Sequence, residues 1–557
     1  MQGTGSNMMH SILAGAAEQL LEQRFGTENA DRWKWLVNDI LKCNQETAEL
    51  CVSTAESFDA TRFQYEKNED LLGSLYLSLR KKKDRKQSGS YYTPEKIAKR
   101  LMGLVFPEGT CTEPLTILDP ACGTGSILLA LPERCELEQI YGYDIDPMAI
   151  AIVRVNMALR YGICDEGLLT EHFTVRDFLK EGCSKAIDLI VGNPPWGSEF
   201  TPEEEAEYRK KFRTAAQKQI ESGNLFVEQS LMQLKDGGRL CFVLPEALLH
   251  VKTHCAVRSL ILRQSVVKRA EYLGEVFEKV QCPSVILLLE KQENAERENK
   301  GNTGLVRLSE ERFLLDVSDE EFALLQKLDT AENMVRLRGQ ASFALGIVTG
   351  NNEKYLQKTK TAGSEPILKG KDIERFLVKE ASAYIAFAPE HYQQVAPVEL
   401  YRAPEKLLYR FVGARPVFAY DDQQTLTLNS CNLVIPQVKG MDMRYIMAVF
   451  NSSVMEFWHR RVNHSMKLLR AHIEEFPIPV ADELQQKRIL QLVELLANNE
   501  QERQMLRARQ DGKAEMLLNE LGVAQEKLER RLNWSIAELF GLTESEYIIV
   551  LAACKIQ

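Results

Sequence analysis

The sequence has no run of about 18 apolar residues, which is close to the length that an α-helix needs to cross a bilayer. The first residues also lack the charged and then apolar order of a secretion signal, because Glu18, Glu22 and Arg24 interrupt them. These absences argue against membrane proteins and secreted proteins. We expect a soluble cytoplasmic protein with no membrane partner.

The twelve cysteines form no Cys-x-x-Cys pair and no combination with histidine at the spacing that binds zinc. A disulfide framework is not expected either, since such frameworks occur mainly in short secreted chains. The pattern predicts reduced thiols and no metal site. Cys122 is then expected to serve only as a small residue in its loop.

Positive charge is scarce, because 69 Lys and Arg residues stand against 79 Asp and Glu residues, a formal net charge of -10. This balance argues against indiscriminate coating of polyanions. Two stretches are nevertheless basic. The stretch from Arg80 to Arg100 contains nine Lys and Arg residues and only two acids, Asp84 and Glu95. The stretch between residues 400 and 470 contains ten Lys and Arg residues and five acids. Local surfaces of this kind bind phosphates, while a solvated linker is an equal interpretation of the first stretch.

The stretch Asn193-Pro194-Pro195-Trp196 follows the apolar run 187–192, which predicts a buried strand. The two prolines remove two backbone donors and stiffen the loop. The Asn193 side-chain oxygen and the Pro194 carbonyl can then accept hydrogen bonds from a planar amine, whose delocalised lone pair makes it a poor nucleophile. Trp196 offers a face for stacking. These features suit methyl transfer to an amino nitrogen; the alternative is a proline turn beside a core tryptophan.

Upstream, residues 115–126 change from an apolar strand to a loop with two glycines, and an apolar helix start follows. Glycines allow a ligand to approach the backbone closely. The dinucleotide fingerprint is not matched, because Leu128 takes the place of its third glycine. The alternative interpretation is an ordinary loop that connects the strand to the helix and binds no ligand. The residues that we assign to a cofactor loop are Asp119, Pro120, Ala121, Gly123 and Gly125.

Two later strands end in acids. Asp144 lies about 20 residues after the glycine loop, the spacing at which a carboxylate binds a ribose. Asp177 ends a third strand, where it can reach the adenine of a nucleoside cofactor, with a solvated loop acid as the alternative. We assign the neighbouring Ile145 and Phe178 to the same pocket. Asp146 precedes a proline and is expected to be a helix N-cap.

Taken in order, the glycine loop, the two acidic strand ends and the Asn-Pro-Pro-Trp stretch resemble the S-adenosylmethionine-dependent amino-methyltransferases. The spacing is similar to their adenine-N6 DNA branch. Residues 89–95, Gly-Ser-Tyr-Tyr-Thr-Pro-Glu, resemble the N-terminal cofactor segment of that family and precede the glycine loop, as in its gamma order. The resemblance implies that Tyr92, Thr93 and Pro94 pack over the methionine end of S-adenosyl-L-methionine.

Residues 271–277 resemble the TaqI-like enzymes, in which an aromatic residue stacks on the second face of a flipped base. Phe277 matches that residue, and a core phenylalanine is the alternative. Short segments such as Phe-Asn-Ser-Ser at 450–453 resemble segments of the target-recognition domains of restriction-modification enzymes. The resemblance covers roughly residues 70 to 480. It implies site-specific methylation of the adenine N6 amine in double-stranded DNA.

The length of 557 residues and the alternation of strand and helix patterns predict an α/β fold of several domains. We expect the doubly wound mixed sheet of a class I, Rossmann-like methyltransferase, with additional helical and recognition regions. The predicted domains are a helical N-terminal region at 1–85, the catalytic domain at 86–292, a connecting segment at 293–335, the target-recognition domain at 336–480 and a C-terminal helical region at 481–557.

Two other functions stay open from the sequence. One is methylation of an RNA base or a protein glutamine, since both acceptors are planar amines or amides, although the long C-terminal half then lacks a purpose. The other is a non-catalytic DNA-binding subunit that keeps the fold. The chain has no convincing acidic-acidic-lysine nuclease site and no Pro-Asp pair. Any restriction endonuclease or defence subunit is therefore expected to be a separate chain, and the oligomeric state is left unassigned.

Overall fold

The structure, a computed structural model, describes residues 2–43, 64–80, 93–107, 114–216, 219–277, 282–292, 295, 306–308, 312–315, 317–331, 333–463, 466–507 and 512–555. The chain divides into two units, residues 1–316 and 317–557. The five predicted domains divide it more finely, and their boundaries stay a prediction. Within these described ranges, no helix has both the length and the apolar character of a membrane span.

A mixed sheet of seven strands forms the centre of the first unit. Its strands are β1 (Ile117–Asp119), β2 (Ile140–Asp144), β3 (Phe173–Val175), β4 (Ile187–Gly192), β5 (Leu234–Pro245), β6 (Ser265–Gly274) and β7 (Ser284–Lys291). The order is β3-β2-β1-β4-β5-β7-β6, with β7 antiparallel to both of its neighbours and the other pairs parallel. The order reverses at β1, which has β2 on one side and β4 on the other. Open α/β sheets bind ligands at the carboxyl ends of the strands at such a point.

Helices cover both faces of this sheet. They are α1 (Gln2–Phe25), α2 (Ala30–Lys42), α3 (Leu71–Leu79), α4 (Glu95–Val105), α5 (Ser126–Leu129), α6 (Pro147–Tyr161), α7 (Glu166–His172), α8 (Phe178–Glu181), α9 (Pro202–Lys211), α10 (Ser222–Gln233) and α11 (Cys255–Gln264). Successive residues of β4 point to opposite faces, so Leu189 and Val191 join one buried cluster and Ile190 joins the other. Burial on both faces explains why β4 is a continuous apolar run. A short hairpin of β8 (Val306–Leu308) and β9 (Phe313–Leu315) follows the sheet.

The N-terminal helices share an apolar core with the sheet. Trp33 of α2 and Leu72 of α3 lie in the same buried cluster as Val153 and Met157 of α6. Helices α1 and α2 agree with the helical N-terminal region that the sequence predicts. The sequence did not indicate that these helices pack against α6 and share its buried cluster.

The second unit is built around a four-stranded antiparallel sheet in the order β11-β20-β17-β18 and a smaller mixed sheet in the order β12-β16-β13-β19, with the strands numbered along the chain. Its strands are β10 (Met334–Val335), β11 (Ala341–Ala344), β12 (Leu356–Gln357), β13 (Glu365–Leu368), β14 (Ile373–Glu374), β15 (Leu377–Val378), β16 (Tyr384–Ile385), β17 (Lys406–Arg410), β18 (Phe418–Asp421), β19 (Leu426–Thr427), β20 (Cys431–Pro436) and β21 (Ile478–Pro479). Its helices are α12 (Asp319–Thr330), α13 (Asn352–Tyr355), α14 (Val398–Tyr401), α15 (Met443–Phe450), α16 (Ser453–Val462), α17 (Arg470–Glu475), α18 (Glu483–Arg507), α19 (Gly512–Leu539) and α20 (Glu544–Lys555).

One residue of the second basic stretch lies inside this unit. Lys406 is fully buried, and its Nζ donates to the equally buried carboxylate of Asp421. Asp421 also accepts hydrogen bonds from the backbone and hydroxyl of Thr425. Counting charges along the sequence therefore overstates the basic surface between residues 400 and 470, because this lysine is paired in the core.

Candidate active site

A cavity that is partly open to solvent lies where β1, β2 and β4 end. Asp119 is the last residue of β1, Asp144 is the last residue of β2, and Asn193 directly follows β4. The lining residues are Tyr76, Leu77, Arg80, Thr93, Asp119, Ala121, Cys122, Gly123, Thr124, Ser126, Ile127, Asp144, Asp146, Ala149 and Asn193. Residues of four predicted motifs, represented by Thr93, Gly123, Asp144 and Asn193, thus meet at a single cavity.

Asp144 is fixed by two backbone donors. Its Oδ2 accepts a hydrogen bond from the Gly123 N–H at 2.8 Å, and its Oδ1 accepts one from the Asp146 N–H at 2.9 Å. Desolvation, and after it the charge of Asp146, raise the pKa of Asp144 to about 6. Each carboxylate oxygen can accept a further hydrogen bond. Asp144 can therefore accept from ribose hydroxyls without giving up its contact to the glycine loop.

The two glycines of the loop have different reasons to be glycine. Gly123 has φ +51°, and a Cβ added there would meet nothing within 4 Å, which leaves room for a ligand. Gly125 has φ +93°, and a Cβ there would lie 2.6 Å from Cγ2 of Val153 on α6. Gly123 thus keeps the loop open to a ligand, whereas Gly125 allows the loop to pack against a helix.

Asp119 is buried beneath the loop. Its Oδ1 accepts a hydrogen bond from the Ala121 N–H at 3.1 Å, and a Cβ at Gly192 would lie only 2.9 Å from the same oxygen. Desolvation, with a further contribution from Asp144, raises the pKa of Asp119 to about 8. The carboxyl is thus largely protonated at neutral pH, and a cationic ligand beside it would favour ionisation.

A residue from the segment before α4 orients the side chain of Asn193. Its Nδ2 donates to Oγ1 of Thr93 at 3.1 Å, which links the Asn-Pro-Pro-Trp stretch to the segment before α4. The Pro195 carbonyl accepts a hydrogen bond from Oγ of Ser222 at 2.6 Å. These contacts hold the loop on both sides of Pro194. The two consecutive prolines also stiffen its backbone.

The two predicted stacking rings contact each other. Trp196 and Phe277 meet edge to face, with ring centroids 5.1 Å apart and an interplanar angle of 89°. Both side chains are buried, and Nε1 of Trp196 donates to the Val243 carbonyl at 3.3 Å. A base between two parallel rings needs them about 7 Å apart, since each contact takes about 3.5 Å. A base can enter between them only if one ring turns, and stacking on both rings stays a prediction.

Six of the predicted site residues line the cavity: Thr93, Asp119, Ala121, Gly123, Asp144 and Asn193. The lining does not include Pro94, which precedes α4, or Pro120, which is buried beside Asp119. Tyr92 and most of the first basic stretch, residues 81–92, lie outside the described residues.

The residues assigned to the adenine end of the cofactor lie away from the cavity lining. Asp177 is the N-cap of α8, and its Oδ1 accepts from the backbone N–H groups of Leu179 and Lys180 at 3.0 and 3.2 Å. Phe178 is buried and stacks on Phe226. Ile145 is 68% exposed. A structural role thus accounts for Asp177 and Phe178 as they stand, and their contact with a cofactor stays a prediction.

Helix α3 contributes residues that the sequence did not indicate. Tyr76 donates its hydroxyl to Oδ2 of Asp146 at 2.6 Å, and Arg80 lies 3.5 Å from the same oxygen. Asp70 caps α3 by accepting from the Gly73 N–H at 2.8 Å. The sequence signal for this helix is the acid directly before the apolar residues 71–72, because an acid at that position is typical of a helix N-cap.

Two separate parts of the chain match known protein families. Residues 67–323 match the family N-6 DNA Methylase, and residues 365–478 match the TaqI-like C-terminal specificity domain. The first match begins before α3, and Tyr76 of this helix and Arg80 directly after it line the cavity.

The chain is similar to two Type II methyltransferases. It is 28% identical to M.VspI of Vibrio sp. over 321 residues, which cover 55% of this chain and 75% of that protein. It is 23% identical to M.TthHB8I of Thermus thermophilus over 387 residues, which cover 66% of this chain and 85% of that protein. The fold is similar to that of the Type IIL restriction-modification enzyme MmeI in complex with DNA, with a TM-score of 0.54 and 13% identity over 87% of this chain and 81% of that one.

The sheet order, the glycine loop and the acidic strand ends define a class I methyltransferase that uses S-adenosyl-L-methionine. The predicted fold class and cofactor are confirmed, and the cavity fits the cofactor because Gly123 leaves room and Asp144 can accept from a ribose. More narrowly, the N-6 DNA Methylase match over residues 67–323 and the TaqI-like specificity domain over residues 365–478 support a TaqI-like N6-adenine DNA methyltransferase of the restriction-modification type.

Proposed function

We propose that the chain is a site-specific adenine DNA methyltransferase that modifies the N6 amine of an adenine extruded from duplex DNA. The observation that carries this proposal is that Asn193 lines the same cavity as Asp119, Asp144 and Gly123. An amine acceptor and a nucleoside methyl donor must meet within one site, and this cavity has the side chains for both.

The chain's part in the reaction is mainly positioning. S-adenosyl-L-methionine supplies an electrophilic methyl group on a sulfonium. In the proposal, the Asn193 side-chain oxygen and the Pro194 carbonyl accept the two N6–H donors, so that the nitrogen lone pair points at that methyl group. The N6 nitrogen becomes acidic once methylated and sheds one proton afterwards, so no strongly shifted general base is required. Most of the acceleration then comes from proximity and orientation.

Extrusion of the base costs a few kcal/mol. In the proposal, Trp196 recovers part of this cost by stacking, worth about 1–3 kcal/mol per base in proteins that bind single strands. Phe277 completes the slot after one of the two rings turns out of their edge-to-face contact. The closed contact protects both apolar rings from water while no base is bound.

Double-stranded DNA is the proposed macromolecular substrate. The match to a specificity domain and the Type II methyltransferase relatives support this assignment. Matches to Type I methylase subunits, such as that of EcoEI, favour a separate cleavage subunit. We propose that a restriction endonuclease or a defence partner, where one exists, is another chain.

The test is to incubate the protein with labelled cofactor and with duplex DNA, RNA and protein acceptors in separate reactions. Nucleosides from the labelled product are then identified by mass spectrometry. The proposal predicts label in duplex DNA as N6-methyladenine. Label in RNA or protein, or N4-methylcytosine in the DNA, would reject the assigned acceptor, and cofactor binding without any transfer would favour a non-catalytic subunit.

A further inference from the structure

The cavity is lined by several acids and one cation. Among the described lining residues, Arg80 is the only Lys or Arg, whereas Asp119, Asp144 and Asp146 are all acidic. The sequence predicted no role for Arg80 in the site beyond membership of a basic stretch. Its position raises the question of which part of the ligand requires a cation there.

Arg80 is held in place at the end of α3. Its Nη1 lies 3.5 Å from Oδ2 of Asp146, and its guanidinium carbon lies 5.4 Å from the centre of the Tyr76 ring. Only 14% of its side chain is exposed. A guanidinium carries five N–H donors in a planar fork, so it can serve Asp146 and a second carboxylate together.

Helix α3 is fastened to the glycine loop by a buried carboxylate. Asp70 accepts hydrogen bonds from the Thr124 hydroxyl, from Nδ2 of Asn156 at 2.8 Å and from the Gly73 N–H at 2.8 Å. Asp70 is buried, and Thr124 itself lines the cavity. Arg80 is therefore carried by an element that is tied to the loop on which the cofactor is expected to lie, and little reorganisation is needed for it to act there.

The charges of the cofactor fit this arrangement. Its amino-acid end carries one carboxylate and one ammonium, and its sulfonium carries a second positive charge. The ammonium and the sulfonium suit a cavity lined by acids. The carboxylate instead would lie near the carboxylates of Asp144 and Asp146, and like charges at close range in a partly buried site are unfavourable. It requires a cation, and a planar guanidinium matches a carboxylate in shape.

We propose that Arg80 binds the α-carboxylate of the methionine end of S-adenosyl-L-methionine. The inference rests on the cofactor assigned to this class and deepens the proposed function by naming a cofactor-binding residue outside the predicted motifs. Arg80 then distinguishes ligands that have the carboxylate from ligands that lack it. Tyr76 and Asp146 act as positioning residues that hold the guanidinium.

The test compares two ligands that differ only in that carboxylate. Dissociation constants of S-adenosyl-L-methionine and of its decarboxylated analogue are measured by calorimetry, without DNA, for the full-length protein and for Arg80→Gln. We expect Arg80→Gln to weaken S-adenosyl-L-methionine about tenfold to a hundredfold, as for the loss of a charge-assisted hydrogen bond. Binding of the decarboxylated analogue should change less than about twofold.

An equal loss for both ligands would mean that Arg80 only supports the fold, and no loss for either would remove it from the site. Either result overturns the inference. Lys67→Gln is the matched control, because Lys67 pairs with Glu133 and does not line the cavity; it should leave both affinities unchanged. Since no DNA is present, a wrong acceptor for the methyl group leaves these titrations unaffected, and the two proposals can fail separately.

Discussion

Asn193 and Thr93 are a hundred residues apart in the chain, yet Nδ2 of Asn193 donates to Oγ1 of Thr93 over 3.1 Å. The contact joins the two motifs proposed for the acceptor amine and for the methionine end of the cofactor. With the amide nitrogen donating to Thr93, the side-chain oxygen is the end that the proposed mechanism assigns to the amine. In the proposed mechanism, Thr93 is a positioning residue for Asn193.

Replacing Thr93 tests that role. Thr93→Val keeps the shape of the side chain and removes the acceptor, so the carboxamide loses its orientation. We expect the single-turnover rate of methyl transfer to fall about tenfold, which corresponds to roughly 1.4 kcal/mol, the size of one hydrogen bond. Thr93→Ser should restore most of the rate, because the hydroxyl returns. A serine variant as slow as the valine variant would contradict the role of the hydroxyl.

The pKa of Asp119 predicts a pH dependence of cofactor binding. In the free protein this carboxyl has a pKa of about 8, mainly because of desolvation. A cationic ligand favours the ionised form, so binding below pH 8 releases a proton. The dissociation constant of S-adenosyl-L-methionine should therefore fall as pH rises from 6 towards 8 and level off above it. Calorimetry in two buffers of different ionisation enthalpy measures the released proton directly.

Asp119→Asn is the control for this assignment. The amide does not titrate in this range, so the slope between pH 7 and 8 should disappear in the variant. A residual slope at lower pH is expected from Asp144, whose pKa is raised to about 6. An unchanged slope between pH 7 and 8 would place the titrating group elsewhere.

The two loop glycines give a matched pair of substitutions. Gly125→Ala brings a Cβ to 2.6 Å from Val153 and keeps a left-handed backbone, so we expect a loss of about 2–4 kcal/mol in the free energy of unfolding. Gly123→Ala has open space around its Cβ, so only the backbone cost of about 1–2 kcal/mol applies. Its Cβ enters the cavity, and cofactor affinity should fall.

Thermal unfolding and cofactor titration of the two glycine variants separate these effects. The order of stability should be wild type, then Gly123→Ala, then Gly125→Ala. A Gly123→Ala variant that binds the cofactor as the wild type does would show that the ligand passes on another side of the loop.

Phe277 can be tested with a fluorescent base. Its ring meets Trp196 edge to face, and the proposed slot opens only when one ring turns. With 2-aminopurine at the target position, the wild type should show the change in fluorescence that follows extrusion and stacking. Phe277→Ala should lower kcat/KM for DNA about 5- to 150-fold, which corresponds to the loss of about 1–3 kcal/mol of stacking. A structural role alone would lower stability and leave kcat/KM of the folded fraction unchanged.

The motifs that could be predicted from the sequence are those whose cause is local. The apolar run before Asn193 predicts β4 because a strand covered on both faces has no polar alternation. Asp146 before Pro147 predicts the N-cap of α6, and the structure confirms it with hydrogen bonds from Met148 and Ala149. The order of the glycine loop, the acid and Asn-Pro-Pro-Trp also indicates the class of protein, because each of these motifs is a short stretch that can be recognised in the sequence by itself.

Features that depend on distant partners could not be predicted. Asp70 is joined to Thr124 and Asn156, which lie 54 and 86 residues away, so nothing near Asp70 in the sequence shows that α3 belongs to the cofactor cavity. Lys406 is another case, because a lysine in a basic stretch suggests a surface until its buried partner Asp421 is seen.

In the proposed mechanism, Asn193 acts on the amine and does not hold the cofactor, and a paired measurement on Asn193→Ala separates these two roles. Methyl incorporation into duplex DNA and the dissociation constant of S-adenosyl-L-methionine are determined on the same preparation. We expect incorporation to fall by at least about a thousandfold while the dissociation constant changes less than about threefold, because Asn193 stabilises the reacting amine. Retained incorporation, or a loss of cofactor binding equal to the loss of activity, would contradict it.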